Sequence, residues 1–210
     1  SFFVNMVLCV LLAVAGNTLI VAALKLTDLS ILGPINAYKS IVSLALGIFL
    51  LGEIPTLLGV AGILLILLGS YFFIDQAVEQ TERNAFIQFF KDKGVQLRLA
   101  ALILSATEAV FLKKALLLSS PLVSFVFWCM LGAMASLVFS LFALKTGLHN
   151  QLFTFKQQTS TYLMLALTTG LMQFSTLYTF GVLQVGYSLA LFQTSVLLSV
   201  FFGYKFFREQ

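Results

Sequence analysis

Seven long apolar runs, separated by brief polar punctuation, organise this chain. They predict helices over 2–25, 31–51, 56–74, 97–117, 121–144, 161–183 and 187–207. "KLTDLS" follows the first run, "GEIPT" the second, "SSP" the fourth and "TGLHNQ" the fifth. One longer polar stretch, residues 75–98, splits the chain and predicts a short interfacial helix around 85–90. The runs are about twice the length of the ten-residue alternating segments of a membrane barrel. The pattern therefore predicts an all-α fold, a polytopic transmembrane helical bundle. Three spans occupy 1–74, a polar linker 75–96, and four spans 97–210.

A repeat refines this picture. "SIVSLALGIFLLGE" (40–53) aligns with "VLLSVFFGYKFFREQ" (196–210), setting Ser43 against Ser199, Gly47 against Gly203 and Glu53 against Glu209. The two segments lie five spans apart. An odd offset makes the copies face opposite ways across the bilayer, an inverted repeat of five-helix units. Seven of ten such helices are present, and the chain opens at Ser1 directly in an apolar run. The expectation is a piece truncated at both ends.

Composition agrees with the pattern. Hydrophobic residues make up 60% and charged ones 10%, with a mean hydropathy of +1.03; soluble domains carry about 25% charged residues. The net charge of +4 comes from lysines and arginines at span ends and in loops. No basic stripe with interleaved aromatics argues for nucleic acid. Cys9 and Cys129 sit in apolar spans and read as small buried hydrophobes. His149 has no acidic neighbour, and no catalytic, cofactor or metal-binding motif is present. The chain is not expected to be an enzyme.

Two ionisable residues interrupt the apolar runs. Lys39 lies eight residues into the predicted 31–51 span, about 12 Å deep, where a charge costs about 2.5–3.5 kcal/mol on insertion scales. Asn36, Lys39, Ser40, Ser43 and Gly47 share one helical stripe, which must face protein or water. Glu108, in the other half, is the second. Lys39 reads either as a structural ion-pair partner or as a cavity-lining substrate residue. Glu108 reads as a proton carrier, a fixed charge or packing glue. Asn17 and Thr18 in the first span, Thr169, Gln173 and Thr176 on one face of the sixth, and Gln193, Thr194 and Ser195 in the seventh are further polar candidates. Interhelical hydrogen bonding accounts for such residues as often as ligand contact does. Gly59 and Gly62 read as close-packing positions, and Glu53 and Glu209 as solvated span ends.

The stretch "TDLSILGPINAYKSIVSLALGIFLLGEIPTLLGVAGILLILLGSYF" resembles the core of an EamA-type repeat of the drug/metabolite transporter superfamily. The likeness rests on Ala23-Leu24 with Leu29-Ser30, on Pro34 through Gly52-Glu53, and on Gly59-Val60-Ala61-Gly62 through Gly69. It is strong over 25–73, and 97–209 fits as a more divergent copy. The resemblance implies a ten-helix inner-membrane carrier with a central cavity lined by both halves; Lys39 falls outside the family's usual pattern. Repeat and resemblance together lead to the expectation of a secondary transporter in the cytoplasmic membrane. It would move a small polar, anionic or zwitterionic metabolite by alternating access, with no cofactor and with proton coupling through Glu108 as an option. The expected substrate-binding residues are Lys39, Glu108, Asn36, Ser43, Asn17, Gln173, Thr176 and Ser195. A flippase for lipid-linked substrates and a non-transporting membrane subunit are the alternatives on the same scaffold.

Overall fold

A computed structural model describes residues 1–27, 35–78, 91–143 and 158–195 of the chain. Among them there are seven α-helices and no strand: α1 (Phe2–Leu24), α2 (Lys39–Leu51), α3 (Leu57–Val78), α4 (Lys93–Leu116), α5 (Pro121–Ala143), α6 (Thr159–Val182) and α7 (Val185–Phe192). Three are long and apolar enough to cross a membrane by length and composition: Phe2–Leu24, Lys93–Leu116 and Pro121–Leu141. Helices of this length and composition mark a membrane-embedded protein.

The fourth helix is the hub. Its most extensive packing is against α1, followed by α2, and it also touches α5, α6 and α7. Small residues make the α1–α4 approach close, as helix association in lipid requires. A Cβ added at Gly16 would sit 3.7 Å from the Ala101 carbonyl oxygen. The main core joins Met6 and Cys9 of α1 to Val110, Leu112 and Leu116 of α4, Leu177 and Phe180 of α6, and Val185 and Leu189 of α7. A second cluster packs Ile35, Tyr38 and Val42 against Ala23, Val95 and Leu102. The apolar side of the second helix is thus largely against protein, although Phe49, near its far end, is 85% exposed.

The predicted 31–51 helix is not continuous. Asn36–Tyr38 wind as a 3-10 turn, and the α-helix proper begins at Lys39. Its 13 residues span about 20 Å, short of a hydrocarbon core of about 30 Å. Asn36 offers the backbone local hydrogen bonds that compete with helix, and the proline two residues earlier lacks a donor. Ile35, before the turn, is α-helical, so Lys39 sits where the helix changes type, in the first turn of its second part. It is still twelve residues, about 18 Å, from the Leu51 end.

That end is sharply defined. Gly52 adopts φ +68°, the left-handed conformation that costs a side-chain-bearing residue most. Gly52 N–H donates to the Ile48 carbonyl at 3.2 Å, the single bond of an αL cap, and Glu53 N–H reaches back to the Gly47 carbonyl, also at 3.2 Å. The cap turns the chain back, so that the Glu53 carboxylate comes within 3.0 Å of where a Cβ on Gly47 would stand. At the start of α4, Asp92 caps the helix through Val95 N–H at 2.9 Å and also accepts from the Thr27 hydroxyl at 2.7 Å. The α4 helix begins four residues before its predicted start, which sets Arg98 in its second turn instead of at its end.

Candidate functional site

Two polar clusters stand out, one within the bundle and one where helix ends meet. The inner one sets Glu108 of α4 beside Lys39 of α2 and Cys9 of α1, with Arg98 ten residues earlier along α4 on the other side of Lys39's reach. Lys39 and Glu108 are half-buried, and each acts electrostatically on the other. The charge of Arg98 also reaches Lys39. Cys9, fully buried, directs its thiol at Glu108 Oε1 at 3.8 Å, so it is a polar partner as well as a small hydrophobe. Among the described residues, no ion pair closes on Lys39, Arg98 or Glu108. The Nε of Arg98 is buried and has no hydrogen-bond partner among the described residues.

The remaining polar candidates are placed as follows. Asn36 is half-buried, and its carbonyl, on the 3-10 turn, accepts from Gln193 Nε2 at 3.3 Å. This ties the α2 entrance to the end of α7. Ser43 is fully buried and donates to the Ser40 carbonyl of its own helix. Gln173 is buried on α6, while Thr176, half-buried, donates back to the Met172 carbonyl at 2.9 Å. Asn17, Thr18, Thr169, Thr194 and Ser195 are exposed. The structure thus brings Lys39 and Glu108 together and links Asn36 to Gln193, and it leaves Asn17 and Ser195 on exposed faces. The expected Ser199 and Glu209 positions lie outside the described residues.

The second cluster overturns the reading of Glu53 as a solvated span end. Its carboxylate pairs with Lys113 at 2.7 Å, with both side chains only 10% exposed. Its other oxygen accepts from Val185 N–H at 3.0 Å, filling one of the free amides at the start of α7. Lys113 also donates to the Leu183 carbonyl at the end of α6. Around this pair, Gln184 Nε2 donates to the Ile54 carbonyl at 2.9 Å, and the Tyr187 hydroxyl bonds Thr56. Gly59 makes room for that tyrosine, since a Cβ there would fall 2.1 Å from the ring. Gly62 meets nothing within 4 Å and is no close-packing position among the described residues. The seam binds the α2–α3 turn, the last turn of α4 and the α6–α7 turn into one patch.

Comparison with known proteins gives no match among family models, curated proteins or solved structures. Among the described residues no group of His, Cys, Asp and Glu is arranged to hold a metal ion. The chemistry available to the inner cluster is charge recognition: two cations, one carboxylate and a thiol against apolar walls.

Proposed function

We propose that the chain is a secondary carrier of a small polar solute, built as an inverted repeat of the EamA type and working in the cytoplasmic membrane by alternating access. One observation carries the reading. Lys39 and Glu108 stand on packed helices of the two sequence halves, each within reach of the other's charge, with no ion pair closed between them. Charges at membrane depth are expensive and mark solute or ion pathways. A cation and a carboxylate held apart offer a solute something to bind that a closed structural pair would not. The broken α2 helix supports the same reading, because interrupted helices free backbone groups where carriers bind their cargo.

The test is uptake into proteoliposomes of labelled amino acids, organic acids and sugar phosphates. Lys39→Ala is expected to lower uptake of the accepted solute at least about thirtyfold, the low end of the roughly 2–5 kcal/mol lost when a desolvated charge loses its partner. Its thermal midpoint is measured alongside to separate transport from folding. Undiminished uptake by Lys39→Ala would remove the lysine from the pathway and with it this reading.

A further inference from the structure

Resting on the carrier reading, we propose that Arg98 and Lys39 together hold an oxyanion of the carried molecule, a carboxylate or a phosphate, while Glu108 balances one of the two cations. The inner cluster contains two positive groups and one negative group. Among the described residues no other ionisable group acts on Lys39 or Glu108 apart from the Cys9 thiol. One positive charge is therefore left over among the described residues. A bound monoanion removes the excess. A zwitterion does not, because it brings an ammonium with its carboxylate. The cluster therefore selects an anion over a zwitterion.

Arg98 gives the proposal its second support. It lies six residues beyond the Asp92 cap, about 9 Å along α4. Its flanks belong to the apolar cluster: Val95, Leu97, Leu99 and Leu102 pack with Ile35, Tyr38 and Val42 around the entrance to α2. In this setting its Nε is buried without an acceptor among the described residues, and a buried donor is normally satisfied. Glu108 does not supply it: it lies ten residues, about 15 Å, further along α4, is engaged by Cys9 and makes no ion pair with either cation among the described residues, so an oxygen anion is the acceptor that fits this donor. A guanidinium presents a planar fork to carboxylate or phosphate oxygens, and an ammonium adds a point charge beside it. An anion between the two also turns their mutual repulsion into two attractions.

The experiment follows the thermal unfolding midpoint of the purified protein, by the fluorescence of Trp128. Inorganic phosphate, acetate, glycine and chloride are titrated at matched ionic strength. Phosphate or acetate should raise the midpoint saturably, whichever rises at lower concentration naming the head group, and glycine and chloride should not. Arg98→Lys, which keeps the charge and loses the fork, should weaken the response about tenfold relative to its own anion-free midpoint. Arg98→Gln should abolish it, and Lys91→Gln, an exposed cation before the same helix, should leave it intact. No rise with either anion overturns the proposal, and so does an equal rise in wild type and both Arg98 variants, which would mark a general salt effect. Uptake of a solute that Arg98→Gln leaves unimpaired would sink the cradle while leaving the carrier standing. A saturable rise without uptake of any solute would do the reverse.

Discussion

At the scale of single residues, the chain separates two uses of charge. Glu53 and Lys113 are spent on each other and on backbone groups. Truncating one partner leaves the other buried and alone, so Glu53→Ala should destabilise by about 3–5 kcal/mol. Glu53→Gln with Lys113→Met should cost clearly less than the sum of the single changes. A double-mutant cycle on unfolding midpoints checks this, and additive losses would show that the pair is not coupled. Asp92 is the opposite case, an exposed carboxylate used as a cap. The Thr27 hydroxyl, then Val95 N–H, holds it below its ordinary value of 3.8. A depressed carboxylate stabilises the fold above the unfolded pKa and loses that contribution as pH falls through the folded one. The stability gap between wild type and Asp92→Ala, about 1 kcal/mol near neutral pH, should therefore hold down to about pH 4 and close below it. A gap independent of pH would mean that the cap works without its charge.

At the scale of elements, most helices were legible because about twenty apolar residues in a row leave few alternatives. The run at 2–25 became Phe2–Leu24, and that at 121–144 became Pro121–Ala143. What pattern could not show was where a helix changes character. The 3-10 turn at Asn36–Tyr38 and the early start of α4 depend on local hydrogen bonds that hydropathy does not register. Asp92 three residues before Val95 was the available signal for the second, since a carboxylate there can cap the free Val95 amide. The contact between α3 and α7 is equally specific. Gly59→Ala should push Tyr187 off Thr56 and cost about 1–3 kcal/mol. Adding Tyr187→Ala should return part of that loss in the same unfolding assay. If the double variant is no better than Gly59→Ala, the clash is not the cause.

At the scale of the whole molecule, the long apolar helices were visible in the sequence, whereas the seam was not. Glu53 looked solvated because its partners lie in other helices: Lys113 in α4 and Val185 in α7. Two clues were present. Counting turns puts Glu53 and Lys113 at the same membrane face, and Gly52 marks a left-handed cap that turns the glutamate inward. The seam has a further consequence during synthesis. Glu53 leaves the ribosome 132 residues ahead of Val185, which at about 5–20 residues per second is a delay of roughly 7–26 s. Lys113 waits in turn for Leu183, 70 residues behind it. The acid therefore spends the delay at the membrane face without its final capping amide, and the fourth helix can be fastened only after the sixth has been threaded. Translation speed between those helices thus enters the assembly of this face alongside the sequence itself.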